Sequence, residues 1–354
     1  MRILPVLSRL RDVAALARVS EATVSRVLND RPGVAQATRD SVLVAVDRLG
    51  YERPSRLRRK SAGLIGVIAP ELTNPVFPAM AQLIEAQLAA DAFTAVLCTQ
   101  TQEHLYEEDY VEMLLERGVA GIIFVSGVHS SIACDPARYN DLRERGVPIV
   151  LINGYLSGVD APFVSNDDGC AVEIAVSHLA AAGHRRIGLA VGPKRYTPVI
   201  RKVASFRSAI WATLGVDDVD GLVQHDSFTV QGGSSAGREL LERGVTGIVC
   251  GSDLMALGAI TAARSLGLDV PRHVSVIGYD DSALMAFTDP ALTTIRQNIG
   301  GIAAAAAQAL LTEINGGVAH RAEMLFRPEL VVRASTAEPP TRRRRHPSHL
   351  GERP

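Results

Sequence analysis

The chain has 354 residues, 47% of them hydrophobic, so it can bury a large core and is too long for one ordinary domain. Its longest apolar stretches, such as Leu64 to Ala69 and Ile302 to Ala307, fall far short of the roughly 20 residues that cross a bilayer. The apolar run Ile3 to Leu7 is broken by Pro5 and followed by Arg9, Arg11 and Asp12, unlike a secretory leader, so a cytoplasmic protein without membrane contact is expected.

The net charge of −1 hides an uneven distribution. Residues 1–60 hold 13 Lys and Arg against 6 Asp and Glu, residues 339–354 hold 5 against 1, and residues 61–338 hold 19 against 31. A basic head on an acidic body points to a polyanionic partner for the head, with a solvated basic arm as the plainer alternative. In that head, Leu10, Val13, Ala14, Leu16 and Ala17 form a helical stripe, and Val24, Val27 and Leu28 form a second after a short break. Ser20 stands where the second helix starts and can cap it. A third pattern runs from Gln36 to Leu49, with Val42, Leu43, Val46 and Leu49 apolar, and stops at Gly50. Three short helices predict a helix-turn-helix domain over 8–53. The open side of the second helix offers Glu21, Ala22, Thr23, Ser25, Arg26 and Asn29, groups suited to phosphates and base edges.

The string D-V-A-A-L-A-R-V-S-E-A-T-V-S-R-V-L-N from Asp12 to Asn29, with T-R-D at Thr38 and L-G-Y at Leu49, resembles the LacI/GalR repressor family. The resemblance implies that Ser20, Thr23, Ser25, Asn29 and Thr38 clamp phosphates of double-stranded operator DNA while Glu21, Ala22 and Arg26 face bases. Chemistry agrees: Arg26 suits guanine, Ala22 a thymine methyl, and Glu21 either accepts from cytosine or repels phosphate. Three departures stand out. Arg18 occupies a turn position where the family has Gly or Asn, and Ala35 replaces the hydroxyl expected to cap the third helix. The linker, placed at 54–63, is short and rich in Arg, leaving Leu57 as the residue that would wedge the minor groove.

From Leu64 onward, apolar runs alternate with helical patterns. Strands are expected at Leu64–Ala69, Thr94–Cys98, Gly121–Val125, Pro148–Ile152, Ile187–Val191, Gly247–Cys250 and Val274–Gly278. This predicts two doubly wound parallel-sheet lobes, divided near residue 160, within a domain over 64–336, and a ligand cleft beyond the carboxyl ends of the strands. The family resemblance continues through T-N-P-V-F at Thr73, G-H-R-R-I-G at Gly183, S-D-L-M-A-L-G-A at Ser252, V-I-G-Y-D-D at Val276 and L-T-T-I-R-Q at Leu292. It implies a periplasmic-binding-protein-like α/β domain whose effector contacts are Asn74, Phe77, Asn153, Lys202, Phe228, Ser252, Asp280 and Gln297, with Asp253 in support. Lys202 stands where the family has an arginine, and Arg201 is its neighbour. Aromatic platforms beside amide, carboxylate and cationic groups suit a sugar or another small polar molecule.

Other signals carry less. Gly233-Ser234-Ser235-Ala236-Gly237 matches G-x-S-x-G without the preceding apolar strand of a nucleophile elbow; it reads as a loop entering a helix at Ala236, and no enzyme activity is expected. Asp167-Asp168 and Asp280-Asp281 are read as caps or ligand partners, not metal sites. His178 and His184 are structural, and Cys98, Cys134, Cys170 and Cys250, with no C-x-x-C pair, are buried thiols. No cofactor is expected. The segment 337–354 reads as a disordered basic tail. The combined expectation is a homodimeric, nucleoid-associated regulator on a near-palindromic operator, released by a sugar-like effector. Co-repression on the same fold and a solute-binding receptor are the rival readings.

Overall fold

The computed structural model describes residues 10–28, 31–49, 51, 62–99 and 106–339. The chain divides into two compact units, residues 1–60 and 61–354. Asn29, Gly50, Leu57, the rest of the basic linker and the arginine-rich segment from 340 onward lie outside the described residues.

In the first unit, α1 (Leu10–Ala17), α2 (Glu21–Leu28) and α3 (Gln36–Leu49) close around Val13, Ala14, Ala17, Val24, Val27, Val42, Ala45 and Tyr51. Two residues assigned to the buried stripes face outward instead: Leu16 is 45% exposed and Leu43 49%. So small a bundle buries only a narrow stripe per helix. On α3 that stripe runs Val42, Ala45, Val46 and Leu49, at the helical spacing of three and four, and Leu43 lies a hundred degrees away from Val42. Ser20 caps α2, its Oγ accepting from Thr23 N at 3.1 Å. Arg18 adopts the left-handed conformation (φ 55°) that ends α1, and Val19 N then reaches back to Ala14 O at 3.0 Å.

The second unit contains two six-stranded sheets. The first is built from β1 (Gly63–Ala69), β2 (Phe93–Thr99), β3 (Gly121–Val125), β4 (Ile149–Ile152), β5 (Phe163–Asn166) and β11 (Glu323–Phe326), in the order β11-β5-β4-β3-β1-β2, all parallel. The second is built from β6 (Ile187–Val191), β7 (Val223–His225), β8 (Gly247–Cys250), β9 (Ser275–Asp280), β10 (Thr293–Arg296) and β12 (Glu329–Val331), in the order β12-β10-β9-β8-β6-β7, with β12 alone antiparallel. Helices cover both faces of each sheet, as the continuous apolar strands require. On the first, α4 (Val76–Ala90) and α11 (Ile299–Ile314) bury Met80, Ile84, Ile302 and Leu310 on one side, while α5 (Glu107–Glu116) and α6 (Ala137–Glu144) bury Leu114, Tyr139 and Leu142 on the other. On the second, α7 (Asp168–Ala181) and α8 (Thr197–Leu214) oppose α9 (Val230–Glu242) and α10 (Asp253–Ser265). Among the described residues no helix is long and apolar enough to cross a membrane.

The lobes are not consecutive halves of the sequence. The chain leaves the first sheet after Asn166, returns to it with α11 and β11, and ends in the second with β12. The division expected near residue 160 is therefore only the first of three crossings. The G-x-S-x-G segment also differs from expectation, lying inside α9 and not in a loop before it. Its glycines let α9 lie against α10: a Cβ at Gly233 would meet the backbone of Met255, and one at Gly237 would stand 2.8 Å from Ala259 Cα. Cys98 and Cys250 are buried, whereas Cys134 and Cys170 are only half-buried; all four are free thiols. Ala337, assigned to the tail by composition, is tied to the second lobe, where its N–H donates to Ser275 Oγ at 3.0 Å and its carbonyl accepts from His184 Nε2 at 2.9 Å.

Candidate functional site

The carboxyl end of β1 runs into Glu71, whose carboxylate accepts the N–H groups of Thr73 at 2.9 Å and Asn74 at 3.1 Å. That grip fixes Asn74 just before α4. The end of β9 carries Asp280 and Asp281 with φ of 123° and 56°, a backbone that non-glycine residues adopt only when held there. The hold is visible: Asp281 accepts from Arg333 at 2.6 Å and from Arg296 at 2.7 Å. Asp280 thereby faces away from its neighbour, and its two oxygens accept from Gln297 Nε2 at 2.6 Å and from Asn74 Nδ2 of the other lobe at 3.4 Å. Burial pushes the Asp280 carboxyl well above the usual carboxylate range, helped by the nearby Asp253 charge, while the Gln297 and Asn74 donors oppose the shift.

Beside this triad lies a second chain of contacts. Lys202 on α8 points inward and pairs with Asp168 at the head of α7. Asp168 Oδ1 also accepts from the Tyr279 hydroxyl at 3.1 Å, Tyr279 accepts from Asn166 Nδ2 at 2.7 Å, and Lys202 Nζ stands 4.1 Å from the Tyr279 ring centroid. Arg201 turns elsewhere, gripping Glu323 of β11 bidentately at 2.8 and 2.7 Å. Of the expected site residues, Asn74, Lys202, Asp280 and Gln297 thus converge. Asn166, Asp168 and Tyr279 join them, and no local spacing in the sequence marks those three as partners.

The remaining expected contacts occupy other roles. Asp253 is wholly buried and accepts from Ser282 N at 2.7 Å and Thr294 Oγ1 at 2.6 Å; burial pushes its carboxyl up to about 6. Ser252 uses its hydroxyl to cap α10 through Met255 N at 3.2 Å. Asn153 is half-buried at φ 60° just past β4. Phe77 packs on the core of the first lobe and Phe228 on that of the second, 6.4 Å from the Tyr196 ring. Nearby, His129 is fully buried with Nε2 3.0 Å from Ile152 O, and burial pushes it down to about 4. Asp167 caps α7 through Cys170 N, and His178 and His184 bond to hydroxyls of the second lobe. Ser235 sits mid-helix, with no strand-to-helix elbow to activate it. No cluster able to hold a metal ion occurs among the described residues.

In the first unit, Glu21, Ala22 and Arg26 are exposed along α2, with Thr23 and Ser25 half-buried on the same helix, Ser20 exposed at its head and Thr38 half-buried on α3. A guanidinium on an exposed helix face beside hydroxyls is the arrangement of a groove-reading helix.

Comparison with known proteins follows the same division. The model of bacterial regulatory proteins of the lacI family matches residues 9–54, and that of a periplasmic binding protein-like domain matches residues 176–336. The HTH-type transcriptional regulator MalR of Streptomyces coelicolor is 55% identical over 341 residues, covering 96% of this chain and 99% of that protein. The structure of a transcriptional regulator CelR–cellobiose complex superposes with a TM-score of 0.69 at 30% identity, covering 93% of this chain and 99% of that one. The lac repressor dimer bound to operator and the anti-inducer ONPF superposes with a TM-score of 0.67 at 25% identity, covering 94% and 100%.

Proposed function

Because the chain belongs to the lacI family of bacterial regulatory proteins, we propose that it is a transcriptional repressor whose operator affinity is set by a small sugar-like effector held between the lobes of its α/β unit. The observation that carries this reading is the convergence of Asn74, Asp280, Gln297 and Lys202, from four separate segments and both lobes, at the carboxyl ends of parallel strands. Paired amides and carboxylates are the groups that recognise sugar hydroxyls. Support also comes from the cellobiose bound to one structural relative. Phe77, Phe228, Asn153 and Ser252 belong to the same reading by family resemblance, and Asp253 fixes the turn at Ser282 next to Asp280.

On DNA, Glu21, Ala22 and Arg26 read bases from the major groove while Ser20, Thr23, Ser25 and Thr38 hold phosphates. By resemblance Asn29 also holds a phosphate, and Leu57 wedges the minor groove. Two copies present two reading helices to a near-palindromic operator in the cytoplasm. The first lobe offers an apolar face for such pairing around the exposed Leu72 and Leu97. An effector acts by binding one pose of the lobes more tightly than another.

Genomic footprinting with and without candidate sugars tests the whole reading. Protection of a palindromic site that one sugar clears is the expected result. Absence of any specific protection would overturn the DNA-binding role, and protection indifferent to every sugar would overturn the effector role.

A further inference from the structure

The polar cluster between the lobes is neutralised from within. Lys202 is the one Lys or Arg buried among the described residues, and Asp168, equally buried, is its partner. Asp280 adds a second buried carboxyl whose oxygens are already served by Gln297 and Asn74. The cluster therefore has no spare cation. Its unmet capacity is of another kind: Asn166 Oδ1 and Gln297 Oε1 are buried acceptors with no donor. The neighbours of Asn166 fix its orientation, and Gln297 points its nitrogen at Asp280 Oδ1. Tyr279 donates its only proton to Asp168 and so must accept from the nitrogen of Asn166. Two carbonyl oxygens are left waiting for hydrogen-bond donors, and a buried acceptor without a donor is costly.

We infer that the cleft selects an uncharged, hydroxyl-donating ligand, a neutral sugar over a phosphorylated or carboxylated one, and that Asp168 sets this choice by neutralising Lys202. This rests on the effector reading above. A hydroxyl can donate to Asn166 Oδ1 and Gln297 Oε1, whereas a phosphate offers only acceptor oxygens and close to two negative charges beside two buried carboxyls. With Lys202 already committed to Asp168, no other buried cation among the described residues stands ready to compensate a buried anion.

The test is calorimetric titration of the full-length chain with three matched pairs: cellobiose and cellobiose 6-phosphate, its α-linked isomer maltose and maltose 6′-phosphate, and ribose and ribose 5-phosphate. A neutral member is expected to bind, and its phosphate at least about 100-fold more weakly, since a buried unpaired charge is opposed. Asp168→Asn frees Lys202 and is expected to narrow that preference by about tenfold or more, as an added unpaired cation attracts phosphate. The double variant Asp168→Asn, Lys202→Gln removes both charges and is expected to keep it. A phosphate that binds the unaltered chain as tightly as its parent would overturn the inference while leaving a sugar effector standing. If none of the six binds while the operator is still held, the effector reading itself falls. Preference unchanged in a folded Asp168→Asn protein would remove Asp168 from the role. The comparison of pairs on the unaltered chain decides the ligand class whether or not that variant folds.

Discussion

Asn74 and Asp280 stand 206 residues apart in the chain, yet Asn74 Nδ2 donates to Asp280 Oδ2 at 3.4 Å, joining the head of α4 in one lobe to the end of β9 in the other. The bond is long and crosses the cleft, so it is the contact an effector would compete for or tighten. Asp280→Asn replaces the acceptor with an amide that cannot serve both Asn74 and Gln297. Effector affinity is expected to fall by about 1–3 kcal/mol, the cost of leaving a buried hydrogen-bonding group unsatisfied. Calorimetric titration with the identified effector checks this.

Arg26 stands exposed on α2. Arg26→Ala is expected to cost about 1–3 kcal/mol of operator binding, as loss of a bidentate guanine contact does, and to relax specificity at one base pair per half-site. Fluorescence anisotropy against operators varied one position at a time reads both effects. A uniform loss across all sequences would instead mark Arg26 as a phosphate contact.

Arg18 carries a φ of 55° at the end of α1. A left-handed L-residue costs roughly 1–2 kcal/mol. Arg18→Gly is therefore expected to stabilise the first unit by up to about 1 kcal/mol, seen as slower hydrogen exchange of the α1 and α2 amides.

The α9 and α10 backbones meet at Gly233, Gly237 and Gly258, where a Cβ on Gly258 would strike the carbonyl of Val230 and the N–H of Ser234. Neither backbone can move aside cheaply in a packed core. Gly237→Val is expected to destabilise the second unit by about 2 kcal/mol or more through overpacking. Thermal unfolding checks it.

His129 sits buried and is held down to about 4, against an ordinary value of 6.5. Its folded form resists protonation, so the stability it contributes is present above pH 6.5 and is lost as pH falls toward 4. Asp253, pushed up to about 6, has the opposite sign: its contribution is present at low pH and is lost as pH rises through 6. His129→Gln keeps a donor for Ile152 O and removes the titration. The stability difference between pH 7.5 and pH 4.5, from urea unfolding at both, is expected to shrink by about 2–3 kcal/mol relative to the unaltered chain.

Helix α2 was legible because its information is local. Val24 and Val27 at helical spacing, Ser20 at the cap and the exposed run through Arg26 lie within a few residues of one another, and that periodicity alone places one face inward. The apolar cores of the strands were legible for the same reason. Strands β5, β7, β10, β11 and β12 were not, being three or four residues long and mixed in polarity, and held only by their neighbours in the sheet. Lys202, Asp280, Asn74 and Gln297 could be named from family resemblance, but which of them pair, and that Asp168 answers Lys202, could not.

By itself, then, the sequence determined a basic helix-turn-helix head and an acidic body of parallel α/β lobes, because patterning, caps and charge are properties of short segments. Only the tertiary structure decided that Lys202 is answered by Asp168, that Asp280 is shared by Gln297 and Asn74, and that two amide oxygens remain without donors. Those are contacts between elements that the chain's three crossings bring together, and no local rule of spacing records them.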